Sequence, residues 1–273
     1  MKNDETRITK ILSVAEQAGI AILEVYGQKS YGIKSKLDNS PVTEADLLSD
    51  KIIRQGLEAM GATIPVISEE GDIPPFEVRS QWNKFWLVDP LDGTREFIKG
   101  TGEFAINIAL IENHIPILGV IFAPERKETY WAERGKPAYF QKGDEAPQII
   151  RAHPTRRSPA LITVSRSFHA EARWDVLSKQ IGPHSLLYCG SSLKIGLVAK
   201  GDADLYPRLG GTGEWDTAAG QCILEAAGGQ LVDNSGFPLK YNTHGSLENP
   251  DFYAFSDPFF KSICCNNLVD NSV

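Results

Sequence analysis

The chain has 273 residues, 42% of them hydrophobic and 23% charged, and a formal net charge of −7. That is the profile of a soluble globular protein, long enough for one large domain or two small ones packed together. The acidic balance speaks against nucleic acid or an anionic membrane as the main partner. No run of 18 apolar residues occurs, and the acidic start Met1-Lys2-Asn3-Asp4-Glu5 does not read as a secretion signal. The expected location is therefore the cytoplasm, which leaves room for peripheral association with its inner membrane face. The four cysteines, Cys189, Cys222, Cys264 and Cys265, lack Cys-x-x-Cys spacing and read as reduced thiols.

Ile8, Ile11, Leu12, Ala15, Ala18, Ile22 and Tyr26 recur at helical spacing and predict a helix over Glu5–Tyr26. Gly27 to Asn39 is polar and turn-rich and reads as a mobile loop. Leu47, Leu48, Ile52, Ile53, Leu57 and Met60 predict a second helix from Thr43 to Gly61. Thr43-x-x-Asp46 has the form of a capping box, and from composition alone Asp46 is a helix cap. Ile64–Ser68 reads as a strand ending in Glu69-Glu70-Gly71, and Asp72–Ser80 as a proline-containing loop. Phe85–Val88 is a strand, Phe104–Ile111 and Ile115–Ala123 a strand pair, and Thr129–Ala132 with Ala138–Gln141 a hairpin. Consecutive strands without intervening helices predict an antiparallel sheet.

A polar stretch with three prolines, Gly143–Pro159, suggests a boundary between a first domain over residues 1–150 and a second over 151–273. Beyond it strands (Leu161–Val164, Ser185–Tyr188, Ala203–Tyr206, Gln230–Val232) alternate with helices (Ala170–Gln180, Ser192–Ala199, Trp215–Ala227), the mark of an α/β half. The tail after Pro258 carries no reading.

The chemistry concentrates where the strand Phe85–Val88 runs into Asp89-Pro90-Leu91-Asp92-Gly93-Thr94. Pro90 keeps Asp89 extended, and Gly93 allows close backbone approach. Two carboxylates, a carbonyl and free amides in one turn suit a hard cation held against a phosphate. Asp-Pro or Asp-Gly alone is an ordinary turn; the six residues together after an apolar strand are far more specific. Glu69 also follows a short strand, and Asp216 opens a helix, where an acid suits the macrodipole. Clustered carboxylates raise each other's pKa unless a cation sits among them. The five histidines show no metal-ligand spacing, there is no phosphate-binding Gly-rich loop, and Ser165 lacks the frame of a serine hydrolase.

The Asp89–Thr94 motif resembles the signature of the Mg²⁺-dependent, lithium-sensitive phosphatases related to inositol monophosphatase. Ile67-Ser68-Glu69-Glu70-Gly71 and Glu214-Trp215-Asp216-Thr217-Ala218-Ala219-Gly220 match in the same order. Gly190-Ser191-Ser192-Leu193-Lys194 and Leu205-Tyr206-Pro207-Arg208 are similar to the 3'(2'),5'-bisphosphate nucleotidases of the bacterial CysQ type. The resemblance spans Ile8 to Phe255. It implies a layered α-β-α-β-α sandwich, with most metal ligands in residues 1–150, and Asp216 and the nucleotide contacts in 151–273.

It further implies that Asp89 bridges two Mg²⁺ ions, one completed by Glu69 and the Leu91 carbonyl, the other by Asp92 and Asp216. A third ion would share Glu69, and Li⁺ would inhibit. Thr94 and Asp46 resemble the water-activating pair, Glu70 would orient a second water, and the Gly93 and Thr94 amides would hold the phosphate. Ser191, Lys194 and Arg208 would meet the second phosphate of a nucleotide bisphosphate, although isolated basic residues are usually only solvated charges. The implied reaction is removal of the 3'-phosphate from 3'-phosphoadenosine 5'-phosphate, by a monomer or homodimer serving sulfur metabolism. Its sulfated relative is a second candidate substrate. The alternatives are an inositol or sugar monophosphatase and, outside catalysis, a metal-dependent phosphate-binding regulator.

Overall fold

The computed structural model describes residues 6–28, 34–35, 41–61, 63–168 and 172–265. Helix α1 (Arg7–Tyr26) starts behind Thr6, whose side chain accepts from the Thr9 amide, and α2 (Glu44–Ala59) behind Thr43. Their apolar stripes, Ile11, Val14, Ala18 and Ile22 on one and Ile53 and Leu57 on the other, bury in a common cluster. Residues 34–35 (β1) and 41–42 (β2) pair antiparallel, so part of the expected loop is ordered. The rest of that loop from residue 29 on lies outside the described residues.

A seven-stranded sheet follows: β3 (Val66–Ser68), β4 (Lys84–Asp92), β5 (Ala105–Glu112), β6 (Ile115–Ala123), β7 (Glu128–Glu133), β8 (Ala138–Lys142) and β9 (Gln148–Ile150), in that order. Only β3 and β4 pair in parallel; the other neighbours are antiparallel, as consecutive strands with short turns require. Two short helices, α3 (Phe76–Arg79) and α4 (Thr94–Ile98), flank β4. The expected Asp72–Ser80 loop thus contains a helical turn, set by Pro75 just before it.

The second sheet contains β10 (Ala160–Val164), β11 (His184–Tyr188), β12 (Leu205–Arg208), β13 (Gln230–Asp233) and β14 (Phe252–Phe255), ordered β11-β10-β12-β14-β13. Here β10 runs parallel to β11 and β12, while β14 is antiparallel to β12 and β13. Helices α5 (Ala172–Ile181), α6 (Leu193–Ala199), α7 (Ala218–Ala226) and α8 (Pro258–Cys264) complete the chain.

The layers follow from who packs on whom. Helices α1 and α2 cover one face of the first sheet; α7 covers the other, against β5, β6 and β7. Helix α6 packs on α7 and on β10, β12 and β14, and α8 with α5 closes the far face of the second sheet. The result is the expected α-β-α-β-α sandwich. Its central core runs through both sheets, from Ile121 and Ala219 to Leu231 and Ala254.

The structure departs from the expected elements in three places. The expected helix Trp215–Ala227 is a 3₁₀ turn, Glu214–Asp216, followed by α7, because the Asp216 side chain turns back to accept from the Gly213 amide (2.9 Å). Strands β9 and β14 are three and four residues long, too short for period to reveal. Helix α8 is set by Asp257 at its N-cap and Pro258 at its first position.

Candidate active site and metal centre

Parallel pairing of β3 with β4 aligns Ser68 with Val88, and the Glu69 amide donates to the Val88 carbonyl (3.1 Å). The next residues along, Glu69 and Asp89, therefore emerge side by side. In a regular strand Asp89 and Asp92 would face opposite sides, because side chains alternate. The ladder between β4 and β5 instead shifts register there: Asp89 lies opposite Asn107 but Asp92 opposite Ala105. One extra residue on β4 makes a β-bulge, with Pro90 inside it, and re-aims Asp92 to the Asp89 side. The Ser49 hydroxyl of α2 donates to the Pro90 carbonyl (2.8 Å) and ties the bulge to that helix.

Glu69, Asp89 and Asp216 each bring a carboxylate oxygen within 4.8 Å of the others. Asp89 is 1% exposed. Burial, then Glu69, Asp92 and Asp216 in turn, pushes its carboxyl well above the ordinary range. Asp216 is pushed up to about 8 by burial, then by Asp92 and Glu69. A fold that gathers acids at such a cost leaves a deficit that cations remove. The donors are carboxylates, with no sulfur or imidazole among them, and Leu91 lines the same cavity; this set fits a hard divalent ion such as Mg²⁺. Asp92 lines the same cavity but stands outside the tight trio. Its Oδ2 accepts from the Ser192 amide and from Asn107 Nδ2 (3.4 Å).

Asp46 serves two roles at once. Its Oδ2 accepts from the Thr43 amide (2.8 Å), which is its half of the capping box, and also from the Thr43 hydroxyl (2.6 Å). Its Oδ1 accepts from the Thr94 hydroxyl (3.1 Å). Burial raises the Asp46 carboxyl, although the Thr43 and Thr94 bonds counter it. Thr94 opens α4 behind Gly93, whose φ of 94° is in the left-handed region that glycine tolerates. Glu70 is half-buried beside Glu69 and is not part of the cavity wall.

The cavity over these acids holds about 680 Å³ and is lined by Glu69, Asp89, Leu91, Asp92, Gly93, Thr94, Arg208, Trp215 and Asp216, among others. A smaller one of about 160 Å³ adjoins it, sharing Asp92, Gly93, Arg208 and Asp216 and adding Ser191, Lys194 and Tyr206. A third, about 170 Å³, continues past Arg208 to Phe168 and Trp174. Lys194 is no solvated surface charge: it is 3% exposed, its ammonium donates to the Ser191 carbonyl (2.5 Å) and it lies 5.0 Å from the Tyr206 ring centre. Ser191 itself has φ of 52°, a conformation unusual for serine. Arg208 borders all three cavities, its guanidinium donating to the Gly211 carbonyl (2.8 Å).

The sequence profile of the inositol monophosphatase family matches residues 3–257. The chain belongs to the inositol monophosphatase family. Family members use metal-dependent catalysis, generally with Mg²⁺, which is what the acid cluster fits. Within the family, the chain is 46% identical over 246 residues to the 3'(2'),5'-bisphosphate nucleotidase CysQ of Escherichia coli K12, covering 90% of this chain and 98% of that one. The crystal structure of CysQ from Bacteroides thetaiotaomicron superposes with a TM-score of 0.80 at 38% identity, over 93% of this chain and 98% of that one. The suhB protein of Bartonella henselae shares the fold, with a TM-score of 0.79 at 24% identity over 97% and 98% of the two chains. No helix among the described residues is long and apolar enough to cross a membrane.

Sequence reasoning missed Ser49, Asn107 and Glu103. The signal for Asn107 was available, since it is the one polar residue inside the apolar run Ala105-Ile106-Asn107-Ile108-Ala109. It accepts from the Ser192 hydroxyl (2.7 Å) and so helps hold the Ser192 segment against Asp92.

Proposed function

We propose that this chain is a Mg²⁺-dependent 3'(2'),5'-bisphosphate nucleotidase that removes the 3'-phosphate of 3'-phosphoadenosine 5'-phosphate, leaving AMP. The observation that carries the choice of substrate is Lys194, buried in a cavity that opens directly beside Asp92, Gly93 and Asp216. A buried ammonium calls for an anionic partner, and a second phosphate away from the acids supplies one. Arg208, where the adjoining cavities meet, is placed for a bidentate contact with it. The sulfated 3'-phosphonucleotide fits the same description. The site draws its acids mainly from residues 1–150 and Asp216, Ser191, Lys194 and Arg208 from 151–273.

Glu69, Asp89 and the Leu91 carbonyl would hold one Mg²⁺; Asp89, Asp92 (through Oδ1) and Asp216 a second, with Glu69 shared by a third. Magnesium, when bound, supplies Lewis-acid charge to the phosphate oxygens and acidifies the attacking water. The chain's own groups do the rest. The Thr94 hydroxyl accepts the hydrogen bond of that water and passes its own to Asp46 Oδ1, a base strengthened by burial. The Gly93 and Thr94 amides, at the start of α4, receive the phosphate, and Glu70, set back beside Glu69 outside the cavity wall, would act through a second water. Inhibition by Li⁺ and a cytoplasmic location, as monomer or homodimer, go with this reading. A phosphate-release panel tests it: the adenosine bisphosphate should be cleaved with higher kcat/KM than inositol 1-phosphate or fructose 1,6-bisphosphate, and only with Mg²⁺ present. A preference for inositol 1-phosphate would overturn the substrate.

A further inference from the structure

Glu103, in the segment between α4 and β5, has a side chain only 4% exposed and does not line the acid cluster's cavity. A carboxylate so buried is costly unless both oxygens are paired. Its Oε2 accepts from Arg166 Nε (2.6 Å) and the Gly190 amide (2.9 Å). Its Oε1 accepts from Arg166 Nη2 (2.7 Å) and Arg126 Nη2 (3.4 Å). Burial alone would push the carboxyl up; the Arg166 and Gly190 bonds outweigh it and hold it below the ordinary glutamate value.

The partners are what give this cluster meaning. Arg166 stands between Ser165 and Ser167, both in the walls of the two small cavities, and itself turns away from them onto Glu103. Gly190 immediately precedes Ser191, whose carbonyl receives the Lys194 ammonium. The Glu103 backbone adds a third contact. A Cβ on Gly190 would lie 2.6 Å from the Glu103 carbonyl oxygen, and one on Gly93 would lie 3.0 Å from it. One residue of the first sheet's side therefore packs against the Gly93 turn at the reactive end. It also holds the Ser165–Ser167 wall and the Gly190–Ser191 turn at the distal end.

We propose that Glu103 is a positioning residue that fixes the distal-phosphate site relative to the reactive one, and thereby sets the preference for a nucleotide bisphosphate over a monophosphate. This rests on the functional reading above. The bidentate Arg166 pair supplies a defined geometry as well as charge, so a neutral substitute should loosen the spacing rather than remove a substrate contact.

The test compares 3'-phosphoadenosine 5'-phosphate with 3'-AMP, which lacks the distal phosphate. Glu103→Gln should lower kcat/KM for the bisphosphate about tenfold or more, chiefly through KM, and change 3'-AMP turnover by less than about threefold. Arg166, whose side chain is 48% exposed, can be replaced without opening the core. Arg166→Met should give the same selective loss, and the double variant should be no worse than either. This second variant carries the test if Glu103→Gln misfolds. Equal losses on both substrates would make Glu103 merely structural and overturn the inference, as would an unchanged preference in both variants. Wild-type protein without a preference for the bisphosphate would overturn the substrate reading, and this inference with it.

Discussion

The two oxygens of Asp46 can be separated by mutation. Oδ2 is committed to the Thr43 amide and hydroxyl, Oδ1 to the Thr94 hydroxyl at 3.1 Å. Thr94→Ala removes the Oδ1 partner, with a longer contact of the same hydroxyl to the Leu91 carbonyl (3.3 Å), and leaves Oδ2 untouched. A lost proton-transfer group typically costs 10²–10⁴-fold, roughly 3–5 kcal/mol in barrier, so kcat should fall by about that range with little change in KM. Stability should move by less than ~1 kcal/mol, since Thr94 is half-exposed. Thr43→Ala removes only one Oδ2 partner and a cap hydroxyl. It should cost about 0.5–2 kcal/mol of stability, a fall in Tm of a few degrees, and leave kcat within a few-fold.

Asp46→Asn should do both. A carboxamide must keep its oxygen on the two Thr43 donors, which turns its NH₂ onto Thr94 and reverses the hydrogen bond the hydroxyl needs to donate. Steady-state phosphate release with saturating Mg²⁺, paired with thermal melts, separates the outcomes. The double variant Thr94→Ala, Asp46→Asn should be little slower than either single one. Losses that multiply, or a Thr43→Ala enzyme as slow as Thr94→Ala, would reduce Asp46 to a helix cap and refute the dyad.

Lys194→Ala should weaken the bisphosphate by roughly 1.5–3 kcal/mol, the scale of a charge-assisted hydrogen bond, and barely affect 3'-AMP; equal losses on both would place the ammonium outside substrate binding. Asp89→Asn should abolish turnover while raising the Tm of the metal-free protein, because it removes one acidic group from the crowded trio; substantial activity in a folded variant would sink the metal assignment. Metal-free protein should lose stability as pH rises. Asp216 titrates in the fold at about 8 and Asp89 is also raised, while both would release protons near ~3.9 when unfolded. The contribution of these two acids is therefore full below about pH 4 and is lost as pH climbs toward 8, where the folded form still holds protons the unfolded chain has shed. Melts in EDTA at pH 5 and pH 8 should show the lower Tm at pH 8, with Mg²⁺ closing the gap; a flat profile would contradict it.

The first two helices and the antiparallel sheet were legible because strong signals agreed, while their layering came only with the family resemblance. Ile11 to Tyr26 and Leu47 to Met60 carry the helical period, and Phe104–Ala123 reads as two apolar strands joined by a tight turn. Short elements were not. The four residues of β14 owe their place to partners on β12 and β13, which no local pattern announces. The bulge at Pro90 was equally hidden. The sequence places Asp89 and Asp92 three apart, which in a strand predicts opposite faces, and only the ladder against Asn107 and Ala105 shows that they share one. Glu103 left no signal because its partners Arg126, Arg166 and Gly190 are up to 87 residues away.

Asp46 and Asp216 show why local reading stalled between cap and site. Each accepts from a backbone amide three residues earlier, Thr43 for one and Gly213 for the other, as a capping residue should. Each also faces a partner that arrives from elsewhere in the chain, Thr94 in one case and Asp89 with Glu69 in the other. The two roles do not compete, because a carboxylate has two oxygens and a cap uses one. The cap also orients the free oxygen: with Oδ2 pinned, Oδ1 of Asp46 has little freedom left, and a base held in place needs no reorganisation when the water reacts. An acid at the start of a helix is thus a poor argument against catalysis in this fold. The local bond aims the oxygen to which the proposed mechanism assigns the chemistry.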